Sequence, residues 1–269
     1  MSHDDTYIIK GGIAGRDRLR VLGRALQATT TAFLQRAGVT TGGTCLDVGC
    51  GGGDVALLLA ESVGPSGRVV GLDLDAEKLE LAAAEANAAQ INQIEYRVGM
   101  VQELDDQGTY DVVYSRFLLT HLPEPVEALK TMAGAARPGG VVAIEDIDFG
   151  GSFCYPENAA YARYCELYTQ AALARGVDPY IGRRLPALLA EAGLTNIVLN
   201  VEAPATFNAD VKAVSPLTLE NIADSTITAG LATREEMDQL IAEIWAFADE
   251  PLSILSLPRI VQVYGTVAS

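Results

Sequence analysis

The sequence predicts an α/β protein built on a parallel sheet covered by helices on both faces. Three observations carry that expectation. Strand-like apolar runs alternate with helical ones from residue 45 to residue 146, a pattern that needs crossover connections. A glycine-rich turn, Gly49-Cys50-Gly51-Gly52-Gly53, joins the first apolar run to a helix start. Asp47, Asp73, Ser115 and Asp146 fall at the carboxyl ends of successive runs, where such sheets bind ligands.

The elements follow in order. A first helix has Leu19, Leu22, Leu26, Thr30 and Phe33 on its apolar side. Lys10, Arg16, Arg18, Arg20 and Arg24 gather around it, as a solvated face or as a segment that closes over a ligand with Gly11-Gly12 as hinge. Strand-like runs are expected at 45–49, 69–73, 94–98, 112–115 and 141–146, with helices at 55–62, 76–89 and 125–136 between them. Beyond Asp148 the pattern loosens. Phe149-Gly150-Gly151-Ser152 reads as a loop before helices at 158–174 and 185–192, a strand at 197–202, helices at 217–227 and 235–248, and a last strand at 260–266.

The turn determines what could be bound. Alternating glycines let the backbone approach a ligand without Cβ obstruction, and the next helix points free N–H groups at it. A dinucleotide fingerprint would place a further glycine where Asp54 stands. With Asp47 at the strand end, Asp54 repels a pyrophosphate and suits an ammonium. About twenty residues later Val69-Val70-Gly71-Leu72 ends in Asp73, where a ribose diol is read. Together these describe a nucleoside bearing an amino acid.

Over roughly residues 15 to 147 these motifs resemble the class I S-adenosylmethionine-dependent methyltransferases, in the small-molecule branch similar to the ubiquinone and menaquinone methyltransferases. Further matches are Tyr110-Asp111-Val112-Val113-Tyr114-Ser115, Leu118-Leu119-Thr120-His121-Leu122 and Arg137-Pro138-Gly139-Gly140. The resemblance implies a Rossmann-like, seven-stranded, mostly parallel sheet with an antiparallel last strand and a helical lid. It divides the chain into an N-terminal segment at 1–40, a cofactor-binding core at 41–150, and lid insertions with the last two strands at 151–269. It implies S-adenosylmethionine as cofactor. Asp47, Gly49, Gly51 and Gly53 would hold its methionine part, Arg16 its carboxylate, Asp73 its ribose, and Leu74 its adenine, with Ser115 also at the cofactor. The family's acid for the adenine amino group is replaced here by Met100, which leaves the contact to Met100, the Val101 N–H or Gln102.

Methyl transfer from a sulfonium is an in-line displacement that needs alignment and, where the nucleophile carries a proton, a base. His121 is the candidate base, or else a cap at the next helix start. Glu145, Asp146 and Asp148 could orient a substrate amine or hydroxyl, and Arg116 could neutralise a carboxylate on substrate or cofactor or make a surface salt bridge. Tyr161, Tyr164 and Tyr168 share a helix face, as core or as the lining of a pocket for a flat substrate. Asn158, Asn221 and Tyr7 are further candidate contacts.

Composition bounds the rest. With 49% hydrophobic and 20% charged residues among 269, the chain has material for a normal core. A formal charge of −16 argues against nucleic acid, which binds clustered Lys and Arg. No N-terminal run suggests a signal peptide and no segment has the roughly 18 apolar residues of a membrane span, so a soluble cytoplasmic protein is expected. Four cysteines without a CxxC pair and two histidines make a metal site improbable. The expected partner is a small-molecule acceptor, and a homodimer is left open. An NAD-dependent oxidoreductase and a non-catalytic cofactor-binding protein are the rival readings.

Overall fold

The computed structural model describes residues 12–268, with side chains from Arg20 onward. Its central feature is a seven-stranded sheet of order β3-β2-β1-β4-β5-β10-β7. The first five strands are β1 (Thr44–Val48), β2 (Arg68–Asp73), β3 (Ile94–Val98), β4 (Tyr110–Arg116) and β5 (Ala136–Asp148). They pair in parallel, with Asp47 opposite Gly71 on β2 and Tyr114 on β4. The sheet is completed by β7 (Thr195–Glu202) and β10 (Arg259–Thr266). This is the mostly parallel seven-stranded architecture that the motifs imply. One difference lies at residues 136–140: the Arg137-Pro138-Gly139-Gly140 stretch is already extended, because the Gly139 N–H donates to the Val267 carbonyl and the Val267 N–H to that of Gly140.

The strands read as near-continuous apolar runs because both faces are covered. On one face Cys45, Val69, Val112, Tyr114 and Ala143 pack with Phe33, Leu34 and Ala37 of α1 (Gly12–Arg36) and with Val55, Ala56, Leu59 and Val63 of α2 (Asp54–Val63). On the other, Leu46, Val48, Val70, Leu72, Val113 and Ile144 pack with Leu129 and Met132 of α4 (Pro125–Ala135) and Leu185, Leu188 and Leu189 of α6 (Leu185–Glu191). Between them in the chain comes α3 (Ala76–Ala88), started by Asp75, whose side chain accepts from the Lys78 N–H at 3.1 Å.

Contacts divide the chain into two units. One comprises residues 26–146, 181–201 and 261–269 and holds the core just described; the other comprises residues 1–25, 147–180 and 202–260. The second unit carries α5 (Ala159–Ala174), α7 (Ala209–Lys212), α8 (Val214–Thr228) and α9 (Arg234–Asp249). It also holds a small sheet, β6-β9-β8, from Cys154–Tyr155, Ile254–Ser256 and Ala205–Thr206, which no sequence signal announced. Lys212, 2% exposed, donates to the Glu250 carbonyl at 2.7 Å and to Ser253 Oγ at 3.0 Å, tying α7 to the end of α9. No described helix is long and apolar enough to cross a membrane.

Candidate active site

The glycine turn is stitched to the neighbouring strand. The Gly49 and Cys50 N–H groups both donate to the Leu72 carbonyl, at 2.7 and 3.0 Å. The Gly51 N–H donates to Asp73 Oδ2 at 2.8 Å, while the Asp75 N–H takes Oδ1 at 3.0 Å. Asp73 therefore binds the turn to the end of β2. Gly51 has φ +53°, and a Cβ built there or on Gly52 meets nothing within 4 Å, so the backbone is bare on that side. Gly53, with φ +81°, is required twice: a Cβ would also lie 2.5 Å from the Tyr96 hydroxyl.

Beneath the turn lies Asp47, 2% exposed. The Ala56 N–H in the first turn of α2 favours its charged form, yet Oδ2 has no hydrogen-bond partner among the described residues. Burial pushes this carboxyl up to about 7; Arg116 pulls it down, and Asp73 and Asp54 push it further up. A buried acceptor left unpaired costs free energy that a ligand donor would recover, and more so if the donor is cationic.

Strand alternation sorts the remaining candidates. Asp47, Tyr114, Arg116 and Glu145 project to the α1–α2 face. Ser115 and Asp146 project to the other, where the fully buried Ser115 Oγ donates to the Val48 carbonyl at 2.8 Å and Asp146 Oδ2 accepts from the Thr120 N–H at 3.1 Å. The strand ends meet, but these side chains part. His121 closes the short turn Leu119–His121, and its backbone N–H donates to the Leu118 carbonyl at 2.9 Å. At the β3 end the Gly99 N–H donates to the Asp73 carbonyl at 3.0 Å, bringing the half-buried Met100 and the buried Val101 to the end of β2. Leu74, next to Asp73, is 53% exposed.

In the second unit the tyrosine face is interior. Phe149 stacks on Tyr168 with centroids 4.1 Å apart and meets Tyr164 edge-on at 5.9 Å, while the Tyr161 hydroxyl donates to the Ser256 carbonyl at 2.9 Å. Asn158 caps α5 through the Tyr161 N–H, and Asn221 Nδ2 donates to the Leu217 carbonyl one turn back. Tyr7 and Gly11 lie outside the described residues, as does the side chain of Arg16.

Sequence reasoning missed a buried network on the α1–α2 face. Glu145 is fully buried and accepts from Thr30 Oγ1 at 2.9 Å, from Gln262 Nε2 at 2.5 Å and from the Tyr114 hydroxyl. Gln262 in turn accepts from Arg36 Nη2 at 3.0 Å and Asn200 Nδ2 at 2.7 Å. The signal was an amide inside the apolar run Ile260-Val261-Gln262-Val263, a residue type that is buried only with partners.

A family model described as a methyltransferase domain matches residues 40–192, the stretch that holds the turn, Asp73 and the strand ends. The chain belongs to this methyltransferase family. The domain is 35% identical to a demethylmenaquinone methyltransferase of Lactococcus lactis over 152 residues, covering 56% of each chain. It is 33% identical to a ubiquinone biosynthesis O-methyltransferase of Acinetobacter baylyi over 167 residues, 60% of this chain and 66% of that one. The chain thus spans little more than half the length of the first of these curated relatives. In fold it is similar to a crystal structure of a putative methyltransferase from Bacillus halodurans, at TM-score 0.59 and 19% identity, covering 88% of this chain and 98% of that one.

Proposed function

We propose that the chain transfers a methyl group from S-adenosylmethionine to a small-molecule acceptor by in-line displacement. The observation that carries this reading is the buried Asp47 oxygen without a partner beneath a bare glycine backbone: a cationic amino-acid group against a flat, Cβ-free surface fits both. The names of the two curated relatives, a demethylmenaquinone methyltransferase and a ubiquinone biosynthesis O-methyltransferase, support the reaction class and a small acceptor.

The cofactor, when bound, supplies a methyl group already activated as a sulfonium. The chain's own residues then do the holding. Asp47 takes the ammonium, Asp73 accepts ribose hydroxyls on lone pairs not engaged by Gly51 and Asp75, Leu74 covers the adenine, and Met100 and Val101 border it. His121 is the proposed base where the acceptor needs one. Residues 41–150 form the cofactor-binding part; acceptor recognition falls to residues 151–269, with the 1–40 segment closing over the cofactor. The charge of −16 supports a partner other than nucleic acid, and we place the protein in the cytoplasm, as monomer or homodimer.

Calorimetric titration with S-adenosylhomocysteine, with NAD in a parallel cell, tests the reading: binding of the former alone is expected, and binding of NAD alone overturns it. Asp73→Ala is expected to weaken S-adenosylhomocysteine by about 1–3 kcal/mol, the usual cost of a lost charge-assisted hydrogen bond; wild-type affinity in the variant removes Asp73 from the ribose. His121→Ala is expected to leave that affinity intact and to slow turnover of an acceptor found by labelled-methyl screening; unchanged turnover excludes it as base.

A further inference from the structure

At the carboxyl end of β4, Arg116 is a partly buried guanidinium that makes no ion pair with any described residue. Its orientation is nonetheless fixed. Nη1 donates to Thr30 Oγ1 at 3.3 Å, and the same hydroxyl donates to the buried Glu145, so the guanidinium rests on a hydroxyl that is itself held. On another side the Phe117 ring centroid lies 5.6 Å from Cζ. Phe117 has φ +58°, a conformation that bulky residues rarely adopt, and its N–H donates to the Glu145 carbonyl at 2.9 Å. The backbone is thus pinned at the residue that follows Arg116. One of five guanidinium N–H donors serves Thr30, and among the described residues the rest of the fork has no hydrogen-bond acceptor.

The surroundings sharpen the point. Of the three charged side chains that act on Asp47, Asp73 and Asp54 are negative and Arg116 is the positive one. Of these three, the two acids repel an anion and Arg116 attracts it. A preset planar fork that pairs with no carboxylate among the described residues is complementary to a two-oxygen anion.

We propose that Arg116 is the anion-binding residue of this site, taking a carboxylate-like or phosphate-like group through its free fork. That group comes either from the amino-acid end of the cofactor or from the acceptor. The assignment of the source rests on the methyl-transfer reading; the anion site itself does not.

The test compares wild type with Arg116→Gln by calorimetry, using four probes: S-adenosylhomocysteine, 5′-methylthioadenosine, which lacks the amino-acid carboxylate, benzoate and inorganic phosphate. If the cofactor supplies the anion, the variant binds S-adenosylhomocysteine about tenfold or more weakly and 5′-methylthioadenosine unchanged. If the acceptor supplies it, both nucleosides bind as in wild type, and benzoate or phosphate binds the S-adenosylhomocysteine-loaded wild type but not the loaded variant. Equal weakening of both nucleosides, or no change with any probe, overturns the proposal. Failure of the wild type to bind either nucleoside sinks the methyl-transfer reading instead. The two anions are then titrated into unloaded protein, and retained anion binding in the variant overturns the proposal there too. Thr30→Val, which keeps the guanidinium but frees it, is expected to weaken the same probe by a smaller factor.

Discussion

Asp47→Asn is expected to flatten the pH dependence of stability between about pH 4 and pH 7, where the wild-type protein without ligand loses stability as pH rises. The folded carboxyl is pushed from its ordinary 3.8 up to about 7 by burial. In that window the unfolded chain is ionised at Asp47 while the native chain keeps its proton, so the native state binds more protons and rising pH favours unfolding. Above pH 7 both states are ionised and the penalty is complete. A rise of about three units corresponds to roughly 4 kcal/mol at most. Asparagine keeps the size and shape of the side chain but carries no charge to bury. Urea unfolding of both proteins at pH 4, 5.5, 7 and 8 without ligand measures the difference. Parallel curves would show that the carboxyl does not titrate in this range. The same substitution is expected to weaken S-adenosylhomocysteine, so the stabler protein at pH 8 is the poorer binder, the trade expected where a strained group serves a ligand.

The second large effect is expected at Glu145. Glu145→Ala strands the Tyr114 hydroxyl, the Thr30 hydroxyl and the Gln262 amide against a small cavity, and is expected to cost about 3–5 kcal/mol. Denaturant midpoints at constant slope would register it. A loss below about 1 kcal/mol would mean that the three donors find other acceptors. Because Thr30 lies on α1, Tyr114 on β4 and Gln262 on β10, the expected loss reports how firmly that helix is held to the sheet.

The succession of strands and helices was legible because apolar runs in a doubly covered sheet differ sharply from the turns between them, and Gly51 and Gly53 announced a backbone brought close to something. Asp73 was legible for the same reason, sitting at a predictable place after a short run. What could not be read was where side chains point once a strand ends. Ser115 and Asp146 sit at the right place in the chain, yet alternation turns them to the face opposite Asp47. Asn158 and Asn221 look like ligand contacts in sequence, but asparagines satisfy nearby backbone groups first, and both do so here. The Glu145 network joins residues up to 226 positions apart, and only the isolated Gln262 hinted at it. The small sheet β6-β9-β8 was illegible because two of its strands are only two residues long, too short for any period to appear.

The strand order has a consequence for assembly in time. In the sheet, β7 touches only β10, and β10 is the last strand in the chain. Ribosomal synthesis delivers β7 some 57 residues before its one neighbour, counting from residue 202 to residue 259. Until then the apolar flank of β5 has no strand beside it and β7 has no place to dock. The first five strands can zip up as they emerge from the tunnel, whereas the far side of the sheet closes only once Arg259–Thr266 slots between two strands made long before.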